Sequence, residues 1–331
     1  MLALYDRRGL SVEPPSDFAG ATMPADVVWI DLISPDPAET AFVEKATKLA
    51  VPGLPELSEI ENSSRLRAEK SALYVNAPLI YRADSDEPVA TPVGFVLTAD
   101  RLISVRFAEL SSFEAVRKRR LAPEAPELSS SALFADLMEA IVDRLADVLE
   151  RIAAELDVLS RRLFHAAPTR PSRRRRSVVE SVSLRVLLRR VGHNGDLVSK
   201  IRDSLLGIAR IIPFVLSLAV EWLPADVKPR LETVRQDVAS LNDYDAHLVS
   251  KVQLLLDATL GMINIEQNNI IKVLAVASVV GIPPTLVASM YGMNFRHMPE
   301  LEWAWGYPYG LAVIAASAIV PLLWFKWRGW F

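Results

Sequence analysis

Near the end of the sequence, Asp257, Gly261, Asn264, Asn268, Ile271, Ala275, Ser278, Ile282, Thr285, Ser289 and Gly292 follow one another at alternating steps of four and three. On a helix that spacing keeps them on one face. Most are small or polar, and apart from Asp257 the polar ones are neutral amides and hydroxyls. Facing inward at membrane depth, such side chains could line a path for ions. One chain with two spans cannot enclose a path, but a ring of copies with this face inward would line one. In the competing reading, Ser278, Thr285 and Ser289 bond back to their own helix or pack against the second span. The continuation through Asn264, Asn268 and Asp257 favours the path.

Other chemistries find no support. The absence of cysteine excludes disulfides, thiolate metal sites, iron–sulfur clusters and cysteine nucleophiles, so any metal must meet oxygen or histidine. His165, His193, His247 and His297 show no HExxH or paired spacing. No Ser/His/Asp arrangement or glycine-rich phosphate loop accompanies them, so an enzyme is not expected. A net charge of −3 gives no reason to expect a nucleic-acid partner.

The elements that must position the stripe follow from how charge is distributed over the 331 residues. From Ile270 onward there are six charged residues, Lys272, Arg296, Glu300, Glu302, Lys326 and Arg328, whereas the first 269 positions hold 33 basic and 38 acidic ones. The start, Met1 to Arg8, lacks an apolar core behind a basic tip, so no secretory signal is expected and the N-terminal part should stay in the cytosol.

Residues 1–125 read as an α/β domain, with strands at Val27–Leu32, Ala72–Tyr81, Gly94–Thr98 and Arg101–Phe107 and a helix over Asp36–Ala50. Residues 126–229 read as a helical hairpin. In its first arm, Ser129 to His165, the apolar residues Phe134, Leu137, Ile141, Leu145, Val148, Ile152, Leu156, Leu159 and Leu163 step by threes and fours. Ala167–Arg176 breaks the pattern with two prolines and five arginines, and the second arm spans Ser177–Trp222. The basic tip, Arg170 to Arg176, is either a solvated charge run or, if Arg173–Arg176 reach a membrane surface, a contact for anionic lipid.

Residues 230–291 form one long stalk helix whose second half, Val273–Tyr291, carries no charge and is long enough to cross a bilayer. A helix kink at Pro283-Pro284 is tolerable there. A loop over 292–308 leads to a second span at 309–326, with a tail at 327–331. Trp303, Trp305, Trp324, Trp327 and Trp330 flank that span as an aromatic belt. Lys272, Lys326 and Arg328 put both chain ends in the cytoplasm and the loop outside.

At the end of the stripe stands Tyr291-Gly292-Met293-Asn294-Phe295, followed by Met298-Pro299-Glu300-Leu301 and Trp305-Gly306-Tyr307-Pro308. With Asn264–Asn268, Ile270-Ile271-Lys272 and Pro283–Ser289 before them, these motifs resemble the CorA family of magnesium channels over about the last 75 residues. Val28–Leu32 and Pro55–Glu61 resemble its N-terminal domain less specifically.

The resemblance implies a funnel-shaped homopentamer in the bacterial inner membrane: an α/β cytoplasmic domain, a long stalk helix and two C-terminal transmembrane helices. It implies passive Mg²⁺ influx driven by the membrane potential, with Co²⁺ and Ni²⁺ as further substrates, and closure by intracellular Mg²⁺ bound between subunits. It assigns Gly292, Met293 and Asn294 to the selectivity filter and Asn268, Leu274 and Thr285 to the pore wall, where the stripe alone prefers Ala275 to Leu274. On that reading Ser278 also lines the pore, Ile271, Leu274 and Ile282 make apolar constrictions, and Asp257 forms an inner, regulatory ring. Glu300 and Glu302 would raise the local cation concentration, or be ordinary loop charge. The basic hairpin tip departs from the family, whose corresponding hairpin is usually acidic. Two other readings remain: a ZntB-like Zn²⁺ transporter, against which Met293 argues, and a membrane-anchored scaffold, which has no use for a polar stripe at membrane depth.

Overall fold

The computed structural model describes residues 1–15, 18, 21–59, 61, 65–69, 71–85, 87–120, 127–164, 173–293, 298–299 and 303–329, with the backbone alone for 173–183. It divides into two compact units: residues 1–167 with 188–256, and residues 168–187 with 257–331.

The first unit is built on a seven-stranded sheet. Its strands are β1 (Leu2–Asp6), β2 (Ser11–Val12), β3 (Val27–Ile33), β4 (Leu66–Glu69), β5 (Ala72–Tyr81), β6 (Val89–Leu97) and β7 (Leu102–Arg106), in the order β2-β1-β3-β7-β6-β5-β4. Only the central pair, β3 and β7, is parallel. Central strands covered on both faces need near-continuous apolar runs, which is why VVWIDLI reads as it does. Its one charge, Asp31, is buried and fully answered: Ser104 Oγ donates to it at 2.6 Å and Arg106 Nη2 at 2.8 Å, while Trp29 Nε1 donates to Ser104 Oγ at 2.9 Å.

Helix α1 (Pro37–Thr47) starts at a capping box, in which Asp36 accepts from the Ala38 and Glu39 amides and Glu39 accepts from the Asp36 amide. It stops three residues before the expected Ala50 because Lys48 turns left-handed at φ 58°. Helices α2 (Leu54–Leu57) and α3 (Ser111–Arg120) were not expected from the sequence. Helix α4 (Ser130–Phe164) buries all nine residues of its apolar stripe.

Helix α5 (Arg173–Leu218) begins earlier than the Ser177 start expected from its run of arginines, so Arg173–Arg176 belong to the helix rather than to a break. A Cβ at Gly207 would come within 2.7 Å of Ala77 Cβ, so glycine there lets α5 lie directly on β5. Helix α6 (Val227–Tyr291) is 65 residues long, about 98 Å at 1.5 Å per residue, and keeps Pro283 and Pro284 within it. Helix α7 (Gly306–Trp327) has 22 residues, starting three before the expected Tyr309 and ending one after the expected Lys326.

Candidate functional site

The stripe sits on α6, and the first unit fixes how that helix starts. Arg230, in its first turn, donates to Asp136 Oδ1 at 2.6 Å and to Glu139 at 2.7 and 2.8 Å, both on α4. Glu139 and Asp136 together hold the Arg230 guanidinium above its ordinary pKa, against the effect of burial. The other oxygen of Asp136 takes Arg120 Nε from α3 at 2.5 Å, and both of these side chains are buried. Lys251 reaches Asp157 at 2.6 Å, so α4 and α6 run parallel with a constant offset from Asp136–Arg230 to Asp157–Lys251.

In the second unit the character of α6 changes. None of its most apolar stretch is buried, and Ile271, Leu274 and Ile282 are 61%, 66% and 64% exposed. Asn264, Asn268, Thr285 and Ser289 are exposed on the same helix, and Gly292 and Met293 just after its end, while Ser278 is half-buried. Ala275 is half-buried too, so Leu274 is the more outward of that pair. Val276, Val280, Pro283, Pro284, Val287 and Tyr291 are partly covered as well. On α7 Gly310, Val313, Ile314, Ser317 and Pro321 are partly covered too. Each span thus has one packed face and leaves the rest of its surface open.

The Thr285 hydroxyl donates to the Gly281 carbonyl at 2.9 Å. This is the back-bond of the competing reading, yet it leaves the lone pairs of Oγ1 free to accept from water, the polarity that a hydrated cation's shell requires. The helix closes with the Gly292 amide on the Ala288 carbonyl at 3.0 Å and the Met293 amide on the Met290 carbonyl at 3.3 Å. Beside this end lies a mainly apolar cavity of about 470 Å³, lined by Tyr291, Gly292, Trp303, Tyr307, Leu311 and Ile314. Asn294, Glu300 and Glu302 lie outside the described residues.

Asp257 is exposed at the start of the second unit. Among the described residues no group of three or more His, Asp or Glu is arranged to hold a metal ion. The sequence reading did not find the Arg120–Asp136–Arg230 cluster at the root of α6, because its members are far apart along the chain.

An α/β unit continued by one long helix, and two C-terminal helices long and apolar enough to cross a membrane, define a membrane protein that presents a polar helix face. The pattern of the family described as "CorA-like Mg2+ transporter protein" matches residues 24–327, and this chain belongs to the CorA family. It is 32% identical over 306 residues to the magnesium transport protein CorA of Yersinia pestis, covering 92% of each chain. It is 33% identical over 305 residues to that of Escherichia coli strain K12, again over 92% of each. Its fold is similar to the complete structure of the CorA magnesium transporter from Methanocaldococcus jannaschii, with a TM-score of 0.71 at 16% identity over 100% of this chain and 99% of that one. The full-length CmaX protein follows, with a TM-score of 0.67 at 17% identity over 99% and 96%.

Proposed function

We propose that this chain is a Mg²⁺ channel of the bacterial inner membrane, working as a ring of identical copies, five on the family pattern. Influx is passive, driven by the membrane potential, with Co²⁺ and Ni²⁺ as alternative substrates. The observation that carries this reading is the α6 face: Thr285 and Ser289 stand exposed within the charge-free run Val273–Tyr291, and Asn264 and Asn268 stand exposed on the same helix just before it. Polar side chains at that depth are costly unless they face a wet interior.

Mg²⁺ gives up its water reluctantly, so a path of amides and hydroxyls passes it with its shell largely kept. Gly292, Met293 and Asn294 form the mouth, where the Asn294 amides and backbone carbonyls match the hydrated ion. Asn268, Ser278 and Thr285 line the path below. Ile271, Leu274 and Ile282 narrow it and close it by dewetting. Glu300 and Glu302 gather cations outside. Asp257 forms an acidic ring at the inner end, where intracellular Mg²⁺ favours closure. Lys272, Lys326 and Arg328 put both chain ends in the cytoplasm. Zinc transport by the same fold has no particular observation in its favour.

The test is reconstitution in liposomes loaded with a Mg²⁺-sensitive dye. Influx is expected under an inside-negative potential at low internal Mg²⁺, and its absence would sink the channel reading.

A further inference from the structure

At the end of the sheet where β3 and β7 begin lies a mainly polar pocket of about 350 Å³. Its lining includes Arg7 of the β1–β2 turn, Asp100 and Arg101 of the β6–β7 turn, Ser71 just before β5, and the last turn of α1. That volume falls at the lower end of the range for small-molecule sites. All of the lining residues belong to the first unit, and none has a part in the α6 path.

The backbone that carries Arg101 is fixed. Thr98 Oγ1 accepts from the Arg101 amide and donates to the Arg101 carbonyl, both at 3.0 Å, and buried Ser130 at the start of α4 places its hydroxyl 2.7 and 2.8 Å from the Thr98 and Ala99 carbonyls. The guanidinium itself is half-buried but scarcely used. Among the described residues it reaches only Met23 Sδ at 3.8 Å and the Ala25 carbonyl at 3.5 Å, both at the outer limit of a hydrogen bond, and neither it nor exposed Arg7 forms an ion pair. Positive charge gathers around this end. Arg8 follows Arg7, and a Cβ at Gly9 would lie 2.7 Å from the Arg120 carbonyl oxygen, so the turn rests on the last turn of α3, where Arg117, Lys118 and Arg119 are exposed. Such a field draws small anions toward the pocket. Asp100 and the end of α1, whose last carbonyls have no partner within the helix, add acceptors to the lining. A fitting ligand therefore carries an anionic group for the guanidiniums and hydrogen-bond donors beside it. Two arginines match a phosphate monoester, with a charge of about −1.5 to −2 at neutral pH, better than a single carboxylate.

We propose that this pocket binds a small phosphate monoester that also carries hydroxyl or amino donors, with Arg101 and Arg7 on the phosphate and the Ser71 hydroxyl beside them. Its occupancy is independent of which ion passes along α6.

The full-length protein in nanodiscs is titrated by calorimetry with adenosine monophosphate, and separately with adenosine and with inorganic phosphate. Adenosine monophosphate is expected to bind with a Kd of about 0.1–1 mM, more weakly as salt is raised. Adenosine should give no binding, and inorganic phosphate should bind at least about threefold more weakly, because it leaves the acceptors of the lining unanswered. Arg101→Gln should weaken adenosine monophosphate at least about tenfold, and Arg7→Gln should act in the same direction. Arg7 is exposed, so Arg7→Gln keeps the fold, as the Trp29 fluorescence midpoint checks, and carries the test alone if Arg101→Gln unfolds the unit. No binding of adenosine monophosphate up to about 10 mM, or binding by both folded variants like that of the parent, overturns the proposal. Adenosine binding as tightly as its monophosphate would mean that the phosphate is not read, and inorganic phosphate binding as tightly would mark a simple anion site; either result overturns it as well.

Discussion

Replacing Asp136 with alanine removes the group that joins α3, α4 and the first turn of α6. Asp136 is 3% and Arg120 8% exposed, so the substitution strands a buried guanidinium whose Nε had donated at 2.5 Å. Breaking a buried pair from one side costs about 3–5 kcal/mol. Arg230 adds little to that cost, because it is about a third exposed and keeps Glu139 at 2.7 and 2.8 Å. In a unit of this size each kcal/mol moves the unfolding midpoint by about 2–4 °C, so a fall of roughly 10 °C is expected. Trp29, 2% exposed in the sheet of the same unit, reports it by fluorescence. The double variant Asp136→Leu with Arg120→Met replaces the pair by apolar groups and should recover most of the loss. A midpoint for Asp136→Ala within about 2 °C of the parent, or a double variant no better than the single one, would refute the reasoning.

Asp245 has no exposed surface, and among the described residues its Oδ1 has no hydrogen-bond partner. Burial pushes its carboxyl pKa up, and Arg202 draws it only partly back. A folded-state pKa above the unfolded one means stability falls as pH rises between the two values. Asp245→Asn should therefore flatten that decline, as read from midpoints on either side of the ordinary carboxylate pKa, at about pH 3.5 and 7.5; a steeper decline counts against the account. Asn294→Ala should abolish Mg²⁺ selectivity in the liposome assay, and selectivity like that of the parent would move the mouth elsewhere. Asp257→Ala should weaken closure by internal Mg²⁺, and unchanged inhibition would remove it from the gate.

What could be read from the sequence was whatever repeats locally. The stripe from Phe134 to Leu163 announced α4, and β5 has the expected bounds, Ala72–Tyr81. The polar face of α6 was legible because amides and hydroxyls stand out in an apolar run. Short or charged elements were not. β4 is LRAE, an edge strand whose Arg67 lies over the Tyr74 ring across the pair. α3 is SSFEAVRKRR, half charged, with only Ser112, Phe113, Val116 and Arg120 turned into the core. Its final arginine is buried only because Asp136 meets it, a pairing invisible until both helices are folded. The start of α5 was missed because two prolines and five arginines over Ala167–Arg176 read as a break.

The exposed face of α6 is unsuited to either simple surroundings. In water, Ile271, Leu274 and Ile282, each more than 60% exposed, would form an apolar patch with nothing to cover it. In lipid, the exposed hydroxyls of Thr285 and Ser289, which lie within the charge-free run, would give up their contact with water. The Thr285 hydroxyl escapes part of that cost by donating to the Gly281 carbonyl. A surface where apolar and polar residues alternate along one line is satisfied if neighbouring copies cover its flanks and water fills the line between them. The neutrality of the polar residues then acquires a purpose. A charge at each level would bind a divalent ion too tightly to release it, whereas amide and hydroxyl oxygens hold its hydration shell and let it go.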